Sequence, residues 1–345
     1  MEKIAIWGKQ IPGNRGESKL ADMRLTRHAR PLPTQLNFAL ALLRKKYKDC
    51  QTAYDTYTFR KSIQSGFDKE TYEDVPYLAP FPVEGSDKAV IVVPGGGFCF
   101  RSSDADGEGN QSEGDLIAKA LNEAGISAFV LWYRLNPYRM PVEALDMQRA
   151  VRWVRHHAEE YGIDPGKIGA IGFSAGGFAV ATHINITAGT DMFPQDYVPD
   201  EVDAEDDSLN ISAPIYPCVT LRCNETLAYP LFGSEVANDP EKRREFIDRY
   251  DSIKHCASKN VPQFLCYGSK DPLLDPAIQK AYVSAVRDLG GDITELELEG
   301  AGHGYGACQS SEQKHRHWLD EYVKWANDRF DRAADTSPQN CEATL

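Results

Sequence analysis

The sequence predicts an α/β fold in which a mostly parallel sheet is covered by helices on both faces. Three observations carry this. Short apolar, β-branched runs alternate with segments of helical period along most of the 345 residues. The runs are continuously apolar rather than alternating, as strands buried on both faces are. They stop at glycine or proline and are separated by helix-length stretches, which parallel crossovers need.

Taken in order, KAVIVVPGGG (Lys88 to Gly97) reads as a buried strand ending in a tight loop, and Gly114 to Glu123 as a helix stopped by Gly125. Ile126 to Leu135 is a second strand, and Val142 to Tyr161 a helix that ends at Gly162. Strands follow at Lys167 to Gly172, Ile211 to Tyr216 and Gln263 to Tyr267, with a helix at Ala175 to Ile186. A helix over 277–289, an alternating edge strand at Ile293 to Gly300 and a closing helix over 311–330 complete the rhythm. Residues 1–85 stand outside it as an N-terminal arm or cap, with helical pattern at Gln35 to Lys48 and strand-like pattern at Thr71 to Val83. The core is expected over 86–332, a helical, lid-like insertion over 221–260, a solvated acidic loop at Asp191 to Ser208 and a frayed tail over 333–345.

With 42% hydrophobic residues the chain is able to bury a large core. Its 51 acidic against 38 basic side chains give a net charge of −13, which argues against nucleic acid and anionic membrane surfaces as partners. The opening MEKIAIWGKQ lacks a cationic start and a long apolar run, and no window is long enough to span a bilayer, so a cytoplasmic location is expected. The eight cysteines show no CxxC pair, which favours reduced thiols over a zinc or redox site.

Chemistry concentrates at GFSAG, Gly172 to Gly176. The pattern G-x-S-x-G lies between a strand and a helix, where small neighbours permit a sharp turn with Ser174 at its tip. A serine hydroxyl is a poor nucleophile until an imidazole takes its proton and an acid orients that imidazole. Asp271, just past the Gln263 strand, and His303, flanked by glycines past the next strand, supply both in the chain order serine, acid, histidine. Asp275 is the rival acid, but it precedes Pro276 and reads equally well as a helix N-cap. The remaining histidines at 28, 156, 157, 183, 255, 315 and 317 fit the base position less well. An oxyanion would be met by the amides of Ala175 and of Gly96 and Gly97, in the glycine loop that leaves its strand at the same sheet edge.

These stretches resemble a known group. VIVVPGGGFCFRS, SEGDLIAKALNEAGISAFVLWYRLNP, RAVRWVRHHAEEYGIDPGKIGAIGFSAGG and GAGHGYG are similar to the bacterial α/β-hydrolases grouped with acetyl esterases and acetylxylan esterases, over roughly residues 86–330. The resemblance implies the α/β-hydrolase fold and a serine esterase, often acting on acetylated carbohydrates. It places the nucleophile at Ser174, the acid at Asp271, the base at His303 and the glycine-loop donors at Gly96 and Gly97. Three features depart from the pattern. Pro94 stands where hormone-sensitive-lipase relatives carry the histidine of HGGG, the loop Asp104 to Gln111 is longer than expected, and the first 85 residues extend beyond the usual lead.

Phe98, Tyr229 and Tyr305, with Phe100, are candidate substrate contacts because each sits beside a site loop or in the insertion, although ordinary packing explains aromatics there as well. Glu113 and Arg134 are read as belonging to a structural ion pair. The acidic residues from Asp200 to Asp207 lack the glycine and spacing of an EF-hand loop. No cofactor is implied and the mechanism requires no metal. The expected partner is a small-molecule or oligosaccharide ester, with homo-oligomerisation left open. An amide hydrolase and a catalytically silent binding protein of the same fold are the alternatives.

Overall fold

In the computed structural model, the structure describes residues 2–14, 31–45, 50–64, 75–102, 113–257, 261–308 and 310–335. The loop Asp104 to Gln111, His28 and the end of the tail from 336 lie outside these residues.

Eight strands form one sheet: β1 (Ile4–Ala5), β2 (Tyr77–Phe81), β3 (Ala89–Val93), β4 (Ser127–Trp132), β5 (Ile168–Phe173), β6 (Ile211–Ile215), β7 (Gln263–Gly268) and β8 (Ile293–Leu298). Their order across the sheet is β1-β2-β4-β3-β5-β6-β7-β8. The pairs β1/β2 and β2/β4 are antiparallel and the other pairs parallel. The chain leaves β3 toward one edge to form β4 and returns to place β5 on β3's other side. The loops leaving β3 and β5 therefore diverge, and the crevice at their carboxyl ends is where open α/β sheets hold ligands.

The apolar runs divide between two faces with period two. Val90 and Val92 of β3, Ala128, Val130 and Trp132 of β4, and Ile171 and Phe173 of β5 join one core cluster. That cluster also takes in Ile117 and Leu121 of helix Asp115–Glu123 and Trp318, Tyr322 and Trp325 of helix His317–Asp335. Ile91, Phe129, Leu131 and Ala170 point the other way, into a cluster with Leu145, Val151 and Val154 of helix Val142–His156. Both faces being covered explains why these strands read as unbroken apolar runs.

The arm is less separate than the boundary at residue 86 suggests. β1 and β2 both lie within it and extend the sheet, Leu78 being paired with Leu131. Beyond β1, the Trp7 indole donates to Asp146 Oδ1 at 2.8 Å. Asp146 also accepts from the Arg134 amide at 2.9 Å and from its guanidinium at 2.7 Å. Arg134 thus has a buried ion pair with Asp146, not with Glu113. The acidic stretch is likewise more built than a solvated loop. Asp200 caps the short 3₁₀ turn Glu201–Ala204, and Asp200 and Asp203 both bind the buried guanidinium of Arg149, at 2.6 and 2.7 Å.

The insertion between β6 and β7 carries 3₁₀ turns at Leu221–Cys223 and Glu225–Leu227, then helices Ala228–Phe232, Ser234–Asn238 and Pro240–Arg249. It shares a third apolar cluster with Phe38 and Ala41 of helix Pro31–Arg44 and Tyr54 of helix Gln51–Gln64. Among the described residues no helix is long and apolar enough to cross a membrane. The described cysteines carry no disulfide.

Asp146 neutralises a guanidinium that is otherwise sealed from water, so removing it strands a buried charge. Asp146→Ala is expected to lower unfolding free energy by about 3–5 kcal/mol in urea denaturation.

Candidate active site

Ser174 lies between the last residue of β5 and the first of helix Ala175–Thr182, with φ 51° and ψ −109°. A left-handed conformation is unfavourable for a residue with a Cβ and has to be held by its surroundings. Three backbone bonds do this: the Ser174 amide donates to Ile215 O at 3.0 Å, and its carbonyl accepts from Phe178 and Cys218. The turn also needs close passage of its neighbours. A Cβ on Gly176 would sit 2.0 Å from Val93 O, and one on Gly172 2.2 Å from Gly176 O. The glycines around the serine are thus required by contact rather than by dihedral freedom.

His303 Nε2 lies 2.9 Å from Ser174 Oγ, and its Nδ1 lies 2.7 Å from Asp271 Oδ2. Asp271 is buried, and its Oδ1 accepts from the amides of Leu273 and Leu274 at 2.8 and 2.9 Å. Those bonds fix the carboxylate so that Oδ2 faces the imidazole, which orients the ring with Nε2 toward the serine. Asp275 instead accepts from the Ala277 amide as the N-cap of helix Pro276–Asp288.

Gly96, Gly97 and Ala175 line the same cavity as Ser174 and His303. Ala175 opens a helix whose first-turn amides have no intrahelical acceptor and whose dipole favours negative charge. Gly96 has φ 135° and its missing Cβ leaves room for Phe100 O, 2.1 Å from where that atom would stand. Gly97 has φ 60°, and a Cβ there would touch only Phe38 Cζ, at an ordinary 3.6 Å.

The cavity is about 200 Å³. Much of its wall is apolar and comes from distant segments: Phe38 and Leu42 of the arm, Phe100, Leu227 of the insertion, and Leu273 and Leu274 beside Asp271. Polar groups are few, with Ser102, Glu113 and Asn224 among them. The Asn224 side chain donates to Leu42 O at 3.0 Å and so ties the insertion to the arm.

Phe98, Tyr229 and Tyr305 do not line this cavity. Phe98 is buried edge-on against Phe178, Tyr229 donates its hydroxyl to Asn238, and Tyr305 is packed against Tyr216 with its hydroxyl on Cys266 Sγ. Phe98 and Tyr305 neighbour site loops in sequence and Tyr229 lies in the insertion, yet all three rings are buried in the core clusters. Phe100 lines the cavity, and Phe38 and Leu42 do so from an arm that nothing in the local sequence connects with the serine. Of the other described histidines, His183 is buried on Asp207 O, His156 pairs with Glu205, His157 stacks on Trp153 and His255 meets Asp248 O.

The BD-FAE family model matches residues 78–285, more than half of the chain, across both the glycine loop and the serine turn. The chain belongs to the BD-FAE family. Among curated proteins, it is 28% identical to an acetylxylan esterase of Xylanibacter ruminicola over 65% of this chain and 42% of that one. It is 26% identical to esterase LipC of Mycobacterium tuberculosis over 72% of this chain and 60% of that one, so the matches span about half the length of these relatives. Among solved structures, an acetyl ester-xyloside bifunctional hydrolase from Caldicellulosiruptor lactoaceticus superposes with a TM-score of 0.64 at 28% identity, covering 76% of this chain and 90% of that one. Esterase 2 of Thermogutta terrifontis, at 20% identity and a TM-score of 0.58 over 74% of this chain and 89% of that one, shares the α/β-hydrolase fold.

The two kinds of glycine predict different costs. Gly176→Ala drives a methyl into backbone at 2.0 Å and is expected to yield no stably folded protein. Gly97→Ala meets only Phe38 Cζ at 3.6 Å and should cost about 1–2 kcal/mol of left-handed strain in urea melts.

Proposed function

We propose that this member of the BD-FAE family is a serine carboxylic ester hydrolase that works through an acyl-enzyme on short-chain esters, with acetylated carbohydrates as the favoured substrate class. The observation that carries the reading is the unbroken line from Asp271 through His303 to Ser174, opening into the cavity beside Gly96, Gly97 and Ala175.

His303 Nε2 takes the proton of Ser174 as Oγ attacks the ester carbonyl, and Asp271 stabilises the imidazolium that forms. The tetrahedral oxyanion is met by the amides of Gly96, Gly97 and Ala175. Collapse breaks the bond to the alcohol, which leaves with the proton from His303, and the acyl group stays on Ser174. Water then gives a proton to His303 and attacks the acyl carbon, and the second tetrahedral species releases the acid and restores the serine.

A 200 Å³ cavity walled by leucines and phenylalanines favours a small acyl group over a long chain. The names of the relatives from Xylanibacter and Caldicellulosiruptor support acetyl as that group and a xylan-derived alcohol.

Intact-mass labelling with a fluorophosphonate, followed by p-nitrophenyl esters of increasing chain length, tests both levels. One adduct on wild type and none on Ser174→Ala is expected, with kcat lowered roughly a million-fold in the variant. Acetate should be hydrolysed faster than octanoate. Full activity in Ser174→Ala would overturn the mechanism, and a preference for octanoate would overturn the assignment of the acyl group.

A further inference from the structure

One buried carboxylate in the cavity wall has no part in that scheme. Glu113 is 4% exposed and lies just before helix Asp115–Glu123, where its two oxygens are held by different loops. Oε2 accepts from the Gly95 amide at 2.9 Å, at the head of the glycine loop. Oε1 accepts from the Tyr216 hydroxyl at 2.6 Å. Tyr216 Oη in turn accepts from the Gly306 amide at 3.1 Å, on the loop that carries His303. Glu113 and Tyr216 thus bridge the loop expected to meet the oxyanion and the loop carrying the imidazole.

Independent features point to the same bridge. Tyr216 has φ 33°, an unfavourable backbone for a side chain of its size, and its amide is locked to Cys266 O at 2.6 Å. Residues held in such conformations cluster at functional sites. The Tyr216 ring stands edge-on to His303 with centroids 5.1 Å apart, so it also packs the imidazole in place. A Cβ added to Gly95 would meet Ser174 Cβ at 2.9 Å and Glu113 Oε2 at 3.0 Å, which places the carboxylate within the immediate surroundings of the serine.

We propose that Glu113 is a positioning residue of the esterase reading: through Tyr216 it sets the glycine loop and the His303 loop in one register. Both of its oxygens accept hydrogen bonds, one from each side of the bridge. Burial pushes the Glu113 carboxyl upward, opposed by the bonds from Tyr216 and Gly95, the nearby imidazole and the Ser102 hydroxyl. Burial and the facing carboxylate push Tyr216 well above its usual range, so it stays a neutral donor. Tyr133, directly after β4, is also buried and pushed well above its usual range, with its hydroxyl donated to Pro94 O at 2.8 Å. His303 is faced by Asp271 on its other side.

The test uses the full chain with p-nitrophenyl acetate between pH 5 and 9, with rates normalised to the sites labelled by fluorophosphonate. Glu113→Gln keeps the shape but turns one acceptor into a donor that faces the Gly95 or the Tyr216 donor. Tyr216→Phe keeps the charge and cuts the bridge. Glu113→Gln is expected to lower kcat about tenfold with KM unchanged, as loss of an interaction made in the transition state does. Tyr216→Phe is expected to lower kcat by a similar factor, again with KM unchanged. Wild-type kcat per labelled site in both variants, with only the melting temperature reduced, would overturn the proposal. Should Glu113→Gln fail to fold, a wild-type rate per labelled site in Tyr216→Phe overturns it alone. An unlabelled wild type would instead remove the serine reading on which the proposal rests, so the two failures are told apart by the first measurement.

Discussion

The interaction on which the rest of the site depends is the contact between the turn after β5 and the backbone leaving β3, where the Gly176 position lies against Val93 O and Pro94 O. Only there, at the point where the strand order reverses, are two adjacent parallel strands followed by loops that part. The turn exposes Ser174 at its tip because its amide is anchored to Ile215 O and its own carbonyl to Phe178. The same closeness brings the glycine loop beside the serine. A side chain at Gly176 would separate the two loops, and with them Ser174 and the amides proposed to meet the oxyanion.

Around this contact the remaining groups are placed by local hydrogen bonds that leave little freedom. Asp271 is fixed by the two amides that follow it, His303 by Asp271 on one nitrogen and the Tyr216 ring on its face. In the proposed mechanism, such preorganisation means that the charge developing on the imidazole meets groups already oriented, with little rearrangement during the reaction.

The parts legible in the sequence are those whose signal is local. β3 to β7 appear as apolar runs because both of their faces are covered, and Ser174, Asp271 and His303 stand directly after strands, where loop glycines mark them. β1 escapes because two residues carry no period. The pocket wall escapes for a different reason: Phe38 and Leu42 reach the cavity only through docking of the arm on the insertion, a contact between segments with no shared pattern. Glu113 and Arg134 both suggest a structural ion pair or a polar contact near the pocket, yet Arg134 pairs with Asp146 while Glu113 lines the cavity and bonds Tyr216, partners that no spacing rule indicates. Phe98, Tyr229 and Tyr305 show that proximity along the chain does not decide which way a ring turns.

The cavity's walls are gathered from Phe38 at one end to Gly304 at the other, across most of the described chain. A site assembled from such remote pieces has high contact order, and each piece becomes ordered only after long stretches of chain have been closed into loops. During synthesis the serine turn and its strand emerge well before Asp271 and His303 exist, so a nascent chain holds an unpartnered hydroxyl. The proposed chemistry would therefore switch on late, as a property of the completed tertiary structure rather than of any fragment that contains the serine.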